Sequence, residues 1–431
     1  MRRKIWFGIF LTTVFLFTVA CSPSRVATQE PTPIPPRPPV FPSATPLTEV
    51  SETPDATIEA PLETAVTILP RVADIPKPLF FLADKAVWII RPGEMVIQRL
   101  TPPDLKVTCF DVWPEDNRMV YGTDTGQVYL VRNTKAEDLT SVLEEEPFML
   151  FDAFPDAPYL VRLDSLVWSP DGAKLAFTVD YSTPGASQTA GYPSSPSGLW
   201  LFELASRQAT WIESNHYLGP NQSDPNLVRR LTASSWSPDS TGLLLHTISR
   251  EGIDTLILNT QDPDGLLIDP PGEYWGSSSW RLDSQAVLLS GRQGSLTSDL
   301  LQVQRDGSEA LVLTDGEAEG LYIFDATELP SGTAFLANCA GCDPDQVQLY
   351  IGHRAGNRFV YTAANIRQYC QNGVPRNITW DLSGQTGALD CGPGELRVLQ
   401  FQVDNVAEID LSDYLRPLGG AELLEMAWGG G

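Results

Sequence analysis

Trp168-Ser169-Pro170-Asp171-Gly172 is followed by the apolar run Leu175-Ala176-Phe177. A short strand ends in tryptophan, the chain turns, and a second strand returns. Proline presets φ in such a corner, and Asp-Gly tolerates positive φ. The chain repeats this unit. Trp236-Ser237-Pro238-Asp239 precedes Leu243-Leu244-Leu245, and Trp113-Pro114-Glu115-Asp116 precedes Met119-Val120-Tyr121. Trp280-Arg281-Leu282-Asp283 precedes Val287-Leu288-Leu289, and Trp380-Asp381-Leu382-Ser383 is a weaker copy. Glu328-Leu329-Pro330-Ser331-Gly332 keeps the corner without tryptophan, and Trp428-Gly429-Gly430-Gly431 stops at the corner. With position 328 standing for the missing tryptophan, the intervals from 113 to 428 are 55, 68, 44, 48, 52 and 48 residues.

A recurring period of this size, filled with short strands, is the signature of a β-propeller. Leu79–Leu82, Ala86–Ile90 and Val96–Leu100 read as three strands with no inner strand before them. Leu423–Trp428 reads as an inner strand with nothing after it. The two fragments complete each other, so the C-terminal strand is expected to close the ring and remove its free sheet edges. The fold class is therefore all-β, a seven-bladed propeller; six and eight blades are the alternatives.

The same turn, clearest at 168–177 and 236–245, resembles the repeats of TolB-like and WD40-like (PD40) propellers. The resemblance covers about 75–431 in architecture and is specific in those two copies. It implies an exported propeller of a kind that often acts in binding or envelope organisation. TolB carries a separate α/β domain before its propeller. Here a different segment stands in that place.

That segment explains the rest of the organisation. Arg2, Arg3 and Lys4 precede an apolar run from Ile5 to Ala20, shorter than the roughly 20 residues of a membrane span. The run ends in Thr18-Val19-Ala20-Cys21, which resembles the bacterial lipobox, although leucine is commonest where Thr18 stands. The resemblance implies cleavage before Cys21 and acylation of Cys21, with palmitate among the expected chains. An ordinary signal peptide and an uncleaved anchor are the alternatives. Ser22, where aspartate is absent, resembles the pattern of outer-membrane lipoproteins. From Ser22 to Glu63, Pro, Thr, Ser and Glu dominate, a composition that cannot bury a core and favours local polyproline II. The expected organisation is a signal peptide at 1–20, a lipidated Cys21 and disordered stalk at 21–63, and a propeller at 64–431. The expected location is the extracytoplasmic face of a bacterial cell envelope, with the lipid bilayer as one partner through Cys21.

Charge limits the other partners. The chain has 29 Lys+Arg against 54 Asp+Glu, a net charge of −25. Phosphate backbones need a basic surface, so nucleic acid is not an expected partner. An envelope protein or polymer is.

Candidate sites fall in segments that do not repeat. Long loops on a rigid scaffold are where binding usually resides. The stretch 181–197, with Tyr181 and Tyr192, is placed between the second and third strands of blade three. The stretch 214–229, with His216, Tyr217, Asn221 and Asp224, joins blades three and four. Tolerated insertions are the plain alternative for both. Four cysteines, Cys339, Cys342, Cys370 and Cys391, are placed on one face of blades six and seven. An exported protein favours disulfides, and Cys370 with Cys391 would close a loop of about 20 residues. Tetrahedral Zn²⁺ on the four thiolates is the alternative cofactor reading. Cys109, on an inner strand, reads as a buried small hydrophobe.

Catalytic signals are weak. There are three histidines and no G-x-S-x-G. Asp171 and Asp239 belong to turns before they belong to any acid pair. The expected function is a non-catalytic binding or scaffolding module. The alternative is a propeller enzyme, a lyase or glycan hydrolase, working at the central channel with converging His, Arg and carboxylates.

Overall fold

The computed structural model describes residues 66–68, 74–132, 135–139, 160–182, 198–214, 230–248, 253–262, 267–268, 278–291, 297–339, 347–355, 358–364, 366–371, 373–402, 406–419 and 421–430. These residues form seven antiparallel sheets. The first draws on β1 (Val66–Ile68), β2 (Leu79–Ala83), β3 (Ala86–Ile90) and β4 (Val96–Arg99). Blade two is β5 (Val107–Trp113), β6 (Arg118–Thr123), β7 (Val128–Arg132) and β8 (Lys135–Asp138). Blade three is β9 (Leu160–Trp168), β10 (Lys174–Ser182), β11 (Gly198–Glu203) and β12 (Gln208–Ser214). Blade four is β13 (Arg230–Trp236), β14 (Gly242–Ile248), β15 (Ile253–Asn259) and β16 (Leu267–Ile268). Blade five is β17 (Ser279–Trp280), β18 (Ala286–Leu289), β19 (Leu300–Gln304) and β20 (Ala310–Thr314). Blade six is β21 (Leu321–Leu329), β22 (Gly332–Cys339), β23 (Gln348–Ala355) and β24 (Arg358–Ala364). Blade seven is β25 (Asn377–Trp380), β26 (Thr386–Asp390), β27 (Leu396–Phe401) and β28 (Val406–Asp410). The last strand, β29 (Leu423–Trp428), pairs with β2 and becomes the innermost strand of blade one.

The ring therefore closes as the sequence implies, with seven blades. Blade one has one strand more than expected, because β1 pairs with the outer edge of β4. Blade four is also longer, since β16 forms its outer strand beyond Leu258.

The tryptophan turn is one structure used five times. The residue three after the tryptophan (Asp116, Asp171, Asp239, Asp283 or Ser383) accepts the backbone N–H two positions on, at 2.9–3.2 Å. The residue between them, Asn117, Gly172, Ser240, Ser284 or Gly384, has φ from 59° to 66°. The side-chain acceptor stabilises this left-handed corner, so residues other than glycine occupy it at modest cost. The tryptophans face the neighbouring blades. Trp236 donates its Nε1–H to Val167 O (3.2 Å), Trp280 to Ser235 O (3.2 Å) and Trp428 to Thr379 O (2.8 Å). Each acceptor immediately precedes the tryptophan of the preceding blade, and the closing seam uses the same bond as the seams on either side of blade four.

The core lies between blades. Seven apolar clusters each join two neighbouring blades. Blade six breaks the pattern. Leu329 pairs directly with Gly332 across a Pro330-Ser331 corner. Glu328, the position assigned to the missing tryptophan, instead pairs with Arg281 at 3.0 Å. Leu329 and Pro330 lie against Gly384 of the next turn, as Trp113 lies against Gly172. At the position of the missing tryptophan Glu328 therefore meets the preceding blade, as Trp236 and Trp280 do, while Leu329 and Pro330 pack on the following one.

Candidate functional site

Three places gather groups with chemistry: the inner strands near the closing seam, the cysteine-bearing side of blade seven, and the outer hairpin of blade six.

The inner strands hold two carboxylates. Phe110 on β5 donates its N–H to Glu425 Oε2 on β29 at 3.0 Å. Asp111 accepts Trp168 N–H at Oδ2 (2.7 Å) and Val112 N–H at Oδ1 (2.8 Å). Ser165 does the same work one seam on, accepting Ala233 N–H at 2.8 Å. Burial pushes the Glu425 carboxyl up to about 7, against the bond from Phe110 and with help from the nearby Asp111 charge. Burial likewise pushes Asp111 up to about 6, against the bonds from Trp168 and Val112. Both residues are half-buried by surface exposure, but protein crowds their carboxyls, and that crowding governs the shifts. Each carboxylate thus joins one blade to the next and also titrates near neutrality.

His246, on β14, bonds Ser278 Oγ through Nε2 at 2.9 Å. Burial pushes the imidazole down to about 4, so it is neutral at pH 7. Ser278 is itself buried. A base this weak beside an inaccessible hydroxyl suits packing better than nucleophilic catalysis.

On blade seven, Cys370 and Cys391 form a disulfide, with Cα atoms 5.4 Å apart. It fixes the turn at Arg367–Tyr369 to the end of β26. Buried Glu395 accepts the N–H groups of Gln371 (2.5 Å) and Gly373 (3.2 Å). Arg397, 2% exposed, donates to Tyr369 O at 2.8 Å and pairs with Glu395 (3.0 Å), Glu408 (3.4 Å) and Asp410. These acids outweigh the opposing effect of burial and hold the guanidinium charged. Cys339 ends β22 and is disulfide-bonded too. The Cys370–Cys391 bond uses two of the four sulfurs that a tetrathiolate zinc site would need. Cys109 is buried outside any disulfide.

The outer hairpin of blade six carries His353, Arg354 and Arg358, all exposed. Among the described residues none of the three has an ion-pair partner, unlike Arg118, Arg207, Arg305, Arg376 and Arg416.

The expected binding loops are mostly out of view. Tyr181 lies in β10, paired with Val161, and not in the loop that follows. Tyr192, His216, Tyr217, Asn221, Asp224, Cys342 and Cys21 lie outside the described residues. Sequence reading passed over Asp111 and Glu425. The signal available was an acid interrupting an otherwise apolar inner strand two or three residues before a tryptophan.

No protein-family model and no curated protein sequence matches the chain. Solved structures do. An oligogalacturonate lyase from Vibrio parahaemolyticus is 12% identical with TM-score 0.47, over 80% of this chain and 85% of that one. TolB from Acinetobacter baumannii is 12% identical with TM-score 0.40, over 83% and 68%. A prolyl endopeptidase is 9% identical with TM-score 0.50, over 80% of this chain and 50% of that one. At these identities the likeness is one of fold: this chain is a β-propeller, as TolB proteins are, and propellers host unrelated functions.

Proposed function

We propose that the chain is a lipid-anchored, extracytoplasmic propeller that binds another envelope macromolecule without catalysis. One contrast supports this reading. The buried ionisable groups Glu425, Asp111, Glu395 and Arg397 are tied to backbone groups of neighbouring segments. The cations of the blade-six hairpin are exposed and unpaired among the described residues. Groups that hold a ring together are poorly placed to react, whereas unpaired surface charge is available to a partner. The test is affinity capture of the full chain from envelope extracts, followed by reconstitution with the purified partner. A saturable partner is expected; no reconstituted complex with protein or polymer would overturn the reading. For the anchor, Cys21→Ser should abolish palmitate incorporation and release the protein from the membrane fraction. Continued membrane retention would overturn it.

The carboxyls near neutrality favour a second reading, an enzyme acting at the channel, because catalytic acids and bases need such values. Glu425→Gln should then abolish lyase or hydrolase activity on anionic glycans. The binding reading expects no such activity in either form.

A further inference from the structure

The outer strands of a propeller are sheet edges, and edges accept other strands unless something prevents it. This ring prevents it in several ways. Blade one covers its edge with β1. The edge strands β8, β12 and β28 carry Glu137 and Asp138, Glu213, and Glu408 and Asp410. The edge strand β16 is two residues long. β20 is apolar but stands between Glu309 and Asp315.

β24 carries none of these devices in its own sequence; one acid from outside, Glu319, accepts the hydroxyl of its Tyr361. The strand is seven residues long, ends its sheet, contains no carboxylate, and pairs with no described strand on its outer side. Register places His353 opposite Val360 and Ala355 opposite Arg358, so His353, Val360 and Arg358 share one face. Arg354, opposite Phe359, lies on the other face. Val360 is 44% exposed. An extended segment laid along this edge would meet Arg358, His353 and Val360 on one face, and on the other Arg354 with Phe359 and with Tyr361, whose hydroxyl is already engaged by Glu319.

We propose that the outer edge of blade six takes an extended, acidic peptide segment of a partner protein as an added strand. The inference rests on the binding reading above. Main-chain bonds along β24 supply affinity; carboxylates at every second residue reach Arg358 and His353 on one face, and a carboxylate at an adjacent position reaches Arg354 on the other. Blade one shows that this ring accepts such an addition, since Val66–Ile68 pairs with β4 in just this antiparallel manner. The net charge of −25 sharpens the choice. Like charge repels an acidic segment from most of the surface, so the unpaired cations become the place where it can settle. A basic segment would find acids on many blades and no reason to prefer this one.

The test uses the full chain and a synthetic blocked heptapeptide of glutamate and valine with glutamates at two adjacent central positions, so that carboxylates point to both faces of the added strand. Calorimetry at about 0.15 M salt, where the screening length is about 8 Å, measures local pairing with the long-range repulsion reduced. The acidic peptide should bind and slow amide exchange in β24. The Arg354→Glu/Arg358→Glu variant, checked for unchanged melting, should bind at least tenfold more weakly. A lysine-for-glutamate peptide should not bind, nor should a peptide N-methylated at alternate residues, which cannot pair as a strand. Binding of either control as tightly as the acidic peptide, or an unaffected arginine variant, would overturn the inference. If the captured partner still binds the arginine variant, this edge is not its site and the binding reading stands. If the peptide binds while no envelope partner is captured, only the broader reading falls.

Discussion

Blades four and six differ at the same place. In blade four, Trp236 fills the seam and ties itself to Val167 O, and the following corner is held by Ser237, Asp239 and Thr241. In blade six, Glu328 meets the preceding blade through Arg281 while Leu329 and Pro330 pack on the following blade, the corner shrinks to Pro330-Ser331, and position 332, at φ 140°, is glycine, where a Cβ would lie 2.3 Å from Gly352 O. The first corner is built from side-chain hydrogen bonds and a large aromatic ring. The second is built from backbone geometry. The blade that abandons the repeated corner also has the longest described outer hairpin, and its Arg354 and Arg358 have no ion-pair partner among the described residues. Departures from a local rule tend to mark places with another task.

The largest expected effect separates the two corners. Trp236→Ala removes a buried ring and leaves Val167 O without its donor, and should cost about 3–5 kcal/mol. Leu329→Ala should cost about 2–3 kcal/mol, because less volume is lost and no side-chain bond is broken. Urea midpoints measure both. Equal losses would mean that blade six is fastened to its neighbour as firmly as the blades with tryptophan.

A second comparison places the special constraint of blade seven beside the plain corner of blade six. Cys370→Ser/Cys391→Ser should cost roughly 3 kcal/mol, if the bond acts by restricting the unfolded chain. Exchange should quicken first around Arg367–Tyr369. An unchanged midpoint would show that Glu395 and Arg397 hold this segment without the disulfide.

The third effect is pH dependence at the seams from blade one to blade two and from blade two to blade three. Glu425 and Asp111 titrate in the folded protein above their ordinary values, near 7 and 6. The folded state therefore binds more protons than the unfolded one between about pH 4 and 7. Their contribution to stability is complete below that window and is lost as pH rises through it, on the order of 2 kcal/mol for each between pH 5 and 8. His246 acts oppositely: its lowered value gives a contribution present above about 6.5 and lost as pH falls towards 4. Glu425→Gln keeps an oxygen for Phe110 N–H and removes the charge, so it should raise the melting temperature at pH 8 and change it little at pH 5. Asp111→Asn should give no such gain, because both Asp111 oxygens accept backbone N–H groups and an amide supplies only one acceptor. A Glu425→Gln melting curve identical to the parent at pH 8 would take the seam between blades one and two out of the pH response.

The architecture was legible because tryptophan and the corner residues recur, and each recurrence has a physical task that composition displays. The closing strand was legible because Leu423–Trp428 and the three strands from Leu79 are incomplete apart. Periodicity placed the missing tryptophan at Glu328, which meets the preceding blade through Arg281, but counting positions does not show that a shorter corner brings Leu329 against the following blade. Sites were less legible. Asp111 and Glu425 each look like a stray acid in an apolar strand until the adjacent blade supplies its N–H. The exposed edge at Arg358 and Val360 depends on which strand ends a sheet and which cations find no partner, neither of which one sequence displays.

The smallest effect concerns the corner itself, where blade seven reverses the chemistry of blade four. In blade four, Ser237 accepts Gly242 N–H at 2.7 Å and donates its own hydroxyl to Asp239 at 2.5 Å. In blade seven, the carboxylate comes first: Asp381 accepts Thr386 N–H at 3.1 Å and the Ser383 hydroxyl at 2.8 Å. The exchange moves the charge inward, and Lys77 meets it at 3.2 Å. Burial raises Asp381, but the bonds from Ser383 and Thr386 and the Lys77 charge outweigh it and hold the carboxyl below its usual range. Asp381→Ala should cost about 1–2 kcal/mol, since Thr386 N–H loses its side-chain acceptor. Asp381→Ser/Ser383→Asp restores the blade-four order and should recover most of that loss, because the hydroxyl and carboxylate keep both bonds after trading places. The recovered variant should also become insensitive to Lys77→Met, which in the parent strands a buried carboxylate. If the double exchange is no better than Asp381→Ala, the corner depends on the Lys77 pair and not on the order of hydroxyl and carboxylate, and the two blades share a shape without sharing its cause.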